Sequence, residues 1–92
     1  MLRFTLRIPE SGSLKDKRQV VRSVMQRIRN KFQVAVAEVD DNEAWQIATI
    51  GVACVSNSAR HADEILAEIV AYVEGSRLDA EVTDVETEVI AL

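Results

Sequence analysis

Lys15, Lys17, Arg18, Arg22, Arg27, Arg29 and Lys31 fall within seventeen residues whose one acid is Asp16. Guanidinium and ammonium groups in such a run can hold phosphates, because each neutralised phosphate releases condensed counterions. On a helical wheel Lys15, Arg18, Arg22 and Arg29 share an arc of roughly 60°, and they span roughly 21 Å of axis. Arg18–Arg22 and Arg27–Lys31 are like-charge pairs four residues apart, each costing about 0.2–0.5 kcal/mol in an isolated helix. Lys17 and Arg18 also occupy the first turn, where the helix dipole disfavours cations. Local stability does not account for this ridge, so something acidic has to compensate it.

Two compensators are open. One is internal: the second helical segment carries Asp63, Glu64, Glu68 and Glu74, and Arg3 and Arg7 of the first strand can face Glu86 and Glu88 of the last. The other is external. A ridge turned away from a sheet can follow a phosphate backbone, with Lys15, Arg18, Arg22 and Arg29 as contacts and Lys17 near the helix N-terminus. Ser11-Gly12-Ser13 would add backbone N–H donors for one more phosphate. The two readings are compatible, since the far flank of the ridge is beyond reach of the second helix.

Other residue types offer less chemistry. His61 is the only histidine and stands at the start of a helix, where a surface or capping role is expected. Cys54 is the only cysteine; it excludes an internal disulfide, suits a reducing cytoplasm and reads as a buried, inert thiol. No spacing suggests a metal site, and no cofactor is expected. Asp40, Asp41 and Glu43 read as a solvated hairpin turn. Ser11-Gly12-Ser13 lacks the Gly-Lys-Ser/Thr of a phosphate-binding loop, and Pro9–Leu14 lacks the glycine-rich, arginine-bearing loop of acylphosphatase chemistry. The chain is therefore expected to be non-enzymatic.

Charge is segregated along the chain. Residues 1–31 hold nine of the eleven basic side chains and two acids, whereas residues 38–92 hold thirteen acids against Arg60 and Arg77. The net charge of −4 conceals that split. A pI near 4.9 argues against polyanion binding by the whole surface but leaves one face free to do so. No apolar run approaches the roughly 18–20 residues of a membrane span, and Arg3 and Arg7 interrupt any leader-like apolar stretch. A cytoplasmic protein without a membrane partner is expected.

The elements that must position the ridge are legible. Leu2, Phe4, Leu6 and Ile8 alternate with Arg3, Thr5 and Arg7, which predicts a half-buried strand ended by Pro9. Ser13 with Asp16 predicts a capping box and a helix from Leu14 to about Asn30–Phe32, with Leu14, Val21, Val24, Met25, Ile28 and Phe32 inward. Gln33–Val39 is a second strand and Ala44–Val55 a long apolar third, expected to be central. Asn57 or Ser58 caps a second helix bearing Ala62, Ile65, Leu66, Ile69, Val70 and Val73 and ended at Gly75. Ala80–Ile90 is a last strand whose phase change between Val82 and Val85 predicts a bulge. The order βαββαβ predicts one α+β domain over residues 1–92. Its plan is ferredoxin-like: a four-stranded antiparallel sheet with two helices on one face and the last strand beside the first.

The RNA-reading signatures common on this plan are missing. The first strand would expose Arg3, Thr5 and Arg7 where an RNA-recognition motif shows stacking aromatics, and there is no Gly-x-x-Gly loop. Any RNA would be held by backbone and shape. Trp45, Ile47 and Val39, with Ala35 and Ala37, can form an apolar patch on the open sheet face and so an interface between copies. Alternatively, Trp45 covers the sheet edge.

Ser13-Leu14-Lys15-Asp16-Lys17-Arg18, Val36-Ala37-Glu38-Val39-Asp40, Trp45-Gln46, Gly51-Val52-Ala53 and Val55-Ser56 together resemble the bacterial YlxP-like family, small proteins of uncharacterised function. The resemblance covers essentially the whole chain. It implies a ferredoxin-like fold and, because members are often encoded beside genes of transcription termination, ribosome maturation and translation initiation, an RNA or ribosomal partner. It supplies no catalytic residues. The expected function is association with ribosomal or other structured RNA through the first helix. The alternative is a protein-interaction module that self-associates through its apolar sheet face or its complementary charged faces.

Overall fold

A computed structural model describes residues 1–40, 44–76 and 80–88. Its elements are β1 (Leu2–Arg7), α1 (Leu14–Lys31), β2 (Ala35–Asp40), β3 (Ile47–Ala53), α2 (Ala59–Gly75) and β4 (Glu81–Thr87). The sheet order is β2-β3-β1-β4, and all three pairings are antiparallel. This is the predicted ferredoxin-like plan, with β4 beside β1 and β3 interior.

Alternation along β1 decides which side is buried. Leu2, Phe4 and Leu6 stand opposite Val52, Ile50 and Ala48 in register, and all six are buried beneath the helices. Arg3, Thr5 and Arg7 fall on the open face. From the helices come Val21, Val24 and Ile28 of α1 and Leu66, Ile69 and Val73 of α2. Met25, Phe32, Ile65 and Val70, expected on the same inward stripes, pack against this core half-buried. α1 lies over β2 and β3, and α2 against β4.

Local chemistry sets the helix ends. Ser13 Oγ accepts from the Asp16 amide at 3.1 Å, and the Asp16 carboxylate accepts from the Gly12 amide at 3.1 Å. Ser58, rather than Asn57, caps α2, its Oγ accepting from the His61 amide at 3.3 Å. α2 ends at Gly75 as expected, but without a left-handed glycine; the Ser76 hydroxyl instead donates to the Tyr72 carbonyl at 2.7 Å.

The strands differ from expectation in three ways. β3 begins at Ile47, because Trp45 and Gln46 form a turn, and stops at Ala53, so Cys54–Ser56 lead into α2. β2 runs on to Asp40, which is thus a strand residue, while the rest of the expected turn (Asp41, Asn42, Glu43) and the end of the last strand (Val89, Ile90) lie outside the described residues. The expected bulge in β4 falls at Thr83, where the pairing steps from Thr5–Asp84 to Leu6–Val82. An unforeseen second bulge at Val39 lets both Glu38 and Asp40 pair with consecutive residues of β3.

Candidate nucleic-acid interface

The five basic residues of α1 expected at the phosphate-binding ridge divide into three groups. Lys15, Arg18 and Arg22 are exposed. Arg29 is exposed too, but its Nη2 donates to the Val36 carbonyl at 2.8 Å. Val36 belongs to β2, an edge strand. Arg29 therefore occupies part of an otherwise open sheet edge. Lys17 is a correction to the ridge as expected. It is 4% exposed, in the inward row of Val21, Val24 and Ile28, and its Nζ lies 3.5 Å from the Glu38 carboxylate. A buried ammonium needs such a partner, and it is not available to a ligand.

The bond from Arg29 also orients the ridge. Lys15, Arg18, Arg22 and Arg29 share one flank, so that flank faces the outer side of β2. Lys31, about 160° around the helix from Arg29, reaches the other way. Its Nζ stands 4.5 Å from the centroid of the Tyr72 ring on α2. The ring of Phe32 meets Tyr72 edge-on at 5.8 Å. The flank that meets α2 is thus the one without the ridge.

Internal compensation by α2 is accordingly not seen. Among the described residues the ion pairs are Arg3–Asp40, Lys17–Glu38 at 3.5 Å and Arg60–Glu64 at 3.3 Å, none of them between the helices. The expected facing of Arg3 and Arg7 with Glu86 and Glu88 is also corrected. Arg3 stands opposite Glu86 and Arg7 opposite Glu81, while Glu88 follows the end of β4. Arg3 bonds in the other direction, across β3 to Asp40.

The loop before α1 holds fewer free donors than its sequence suggests. Ser11 is buried, and its amide donates to the Ile8 carbonyl at 3.1 Å. The Gly12 amide is taken by the Asp16 carboxylate, which itself supplies the negative charge that suits a helix start. Gln46 fastens the loop from below: its side-chain amide donates to the carbonyls of Pro9 at 3.2 Å and Ser11 at 3.5 Å, and its own carbonyl accepts from the Ile8 amide at 2.7 Å.

The three residues expected at an interface are all exposed: Val39 by 48%, Trp45 by 54% and Ile47 by 43%. They are not equivalent. Ile47 lies on the open face opposite Arg7. Val39, pushed out by its bulge, lies over Gly51, where an added Cβ would come within 2.6 Å of Val39 Cγ1. Trp45 stands in the turn at the end of the sheet where α1 begins. His61 is exposed, and Cys54 is half-buried against the core. No helix among the described residues is long and apolar enough to cross a membrane.

Two of these placements carried a sequence signal. The apolar stripe of α1 has a gap at Lys17, and Glu38 is in phase with the inward-facing Val36, so the two interruptions sit where they can meet. The clamp by Gln46 and the bond from Arg29 to a main-chain carbonyl leave no pattern in side-chain types.

Comparison with known proteins identifies the family. Residues 1–87 match the family described as a protein of unknown function, DUF503. The uncharacterized protein YlxP of Bacillus subtilis (strain 168) is 35% identical over 67 residues, covering 73% of each chain. The chain belongs to the DUF503 family, the YlxP-like proteins resembled by its sequence.

Proposed function

We propose that this DUF503 protein is a non-enzymatic, cytoplasmic RNA-associated domain that contacts ribosomal or other structured RNA through the outer flank of α1. Lys15, Arg18 and Arg22 are the phosphate contacts. Arg29 continues the same flank while bonded to β2, and Lys17 takes no part.

The observation that carries the reading is the direction of the ridge. Three exposed cations, about one per helical turn, lie on the flank away from the acidic helix. None of the three has an ion-pair partner among the described residues. Repulsion between Arg18 and Arg22 is relieved by a polyanion. Releasing counterions from about three phosphates would give a log–log salt slope of roughly −2 to −3.

The test is binding of ribosomal subunits and of structured RNA at low and moderate salt, comparing the wild type with a Lys15, Arg18, Arg22→Ala variant. Salt-sensitive binding that the variant loses supports the reading. No binding, or equal binding by both proteins, overturns it.

A second reading, self-association through the sheet face, is favoured by the half-exposed Val39 and Ile47. It predicts a concentration-dependent mass that Ile47→Glu reduces to that of one chain.

A further inference from the structure

Trp45 is more exposed than the fold requires. Aromatic side chains normally bury 150–250 Å² or so, yet this residue is 54% exposed. The residue beside it is fastened through both its side chain and its main chain. Gln46 makes three hydrogen bonds to the Ile8–Ser11 segment, two from its side chain and one to its carbonyl. That segment runs straight into the cap of α1, where Ser13 and Asp16 lock the first turn. The backbone at Trp45 is therefore held in fixed relation to the start of the basic flank. The flank then advances away from it, through Lys15, Arg18 and Arg22.

An exposed aromatic at the head of a cation ladder is the pairing that grips nucleic acid with unpaired bases. The cations follow the backbone, and the ring offers a face to a base. A fully paired helix stacks its bases upon one another and offers the ring nothing along its length. We infer that Trp45 is a base-stacking residue and that the ligand is RNA with unpaired nucleotides beside the backbone held by the ridge. This rests on the proposed RNA-binding function and narrows its ligand class.

Trp45 is the only tryptophan of the chain, so its emission reports on this one position. The probes are a blunt RNA duplex, the same duplex with an unpaired 3′ extension, and a single strand, each titrated at low salt. The unpaired-extension duplex should quench the emission in a saturable way and bind more tightly than the blunt one. Trp45→Ala should weaken that binding about 5- to 150-fold, as loss of one base–aromatic stack does. Trp45→Phe should keep most of it, and both variants should bind the blunt duplex like the wild type.

Three outcomes overturn the inference. Binding that needs Arg18 and Arg22 but leaves the emission and the affinity of Trp45→Ala unchanged removes Trp45 while sparing the ridge. Binding of none of the RNAs removes both. An emission change that follows protein concentration without RNA assigns Trp45 to a contact between copies. Circular dichroism and thermal unfolding of both variants keep loss of folding distinct from loss of stacking.

Discussion

Lys17 and Glu38 meet between α1 and β2, Nζ 3.5 Å from the carboxylate, with the lysine side chain 5% and the glutamate side chain 28% exposed. The pair holds a charge in a row that is otherwise valine and isoleucine. Lys17 takes part in further interactions as well.

Removing one member of this pair should be worse than removing both. Glu38→Ala takes a carboxylate away from a buried ammonium and should cost about 1–3 kcal/mol. A Lys17→Met, Glu38→Leu double variant replaces the pair with apolar groups of similar size and should be more stable than Glu38→Ala alone. Urea denaturation of the three proteins measures the difference. A double variant no better than Glu38→Ala would mean that the pair is not what holds α1 on β2.

Arg29 should behave differently from its neighbours on the same flank. Arg29→Ala loses the bond to Val36 and should cost about 0.5–1.5 kcal/mol. It also uncovers the β2 edge, so the tendency to associate at high concentration should rise. Sedimentation and thermal unfolding read the two effects together.

Arg18→Ala and Arg22→Ala should leave folding intact or strengthen it slightly, by about 0.2–0.5 kcal/mol, because each removes a like-charge neighbour. Both should weaken RNA binding and flatten its salt dependence by roughly one unit of slope per lost phosphate contact. A variant that unfolds more easily and binds RNA as before would reverse the roles assigned to Arg18, Arg22 and Arg29.

Gly51 and Val39 should couple. Gly51→Ala drives a methyl group to within 2.6 Å of Val39 Cγ1 and should cost about 1–3 kcal/mol, as overpacking does. Adding Val39→Ala removes the clash and should recover most of the loss. A double-mutant cycle by chemical denaturation checks this; additive effects would mean that the two side chains do not meet.

The elements were legible because their signals are periodic. Leu2, Phe4 and Leu6 alternate, the stripe from Val21 to Ile28 follows the helical repeat, and Ser13 and Ser58 have the residue type that starts a helix. The change of phase beyond Val82 marked the bulge at Thr83. The bulge at Val39 was hidden because Ala35–Val39 alternates too weakly to show a slip. The ridge was legible as a row of charges but not in its membership. Projection puts Lys17 about 100° from Arg18, in the row of Val21, Val24 and Ile28, and the packing of α1 on β2 shows that this row buries the lysine beside Glu38. Nor could side-chain types alone show that Arg3 prefers Asp40, across an intervening strand, to Glu86 directly beside it.

The sheet order has an electrical consequence. The cations of α1 border the β2 edge, while Glu81, Asp84 and Glu86 line β4 at the opposite edge. A molecule of net charge −4 is thus also a dipole, directed across its strands. A polyanion repels the whole and at the same time exerts a torque that turns the α1 side forward. For a polyanion that binds through α1, approach would be a matter of rotation before contact, and the acidic edge would trail and face whatever lies beyond the complex.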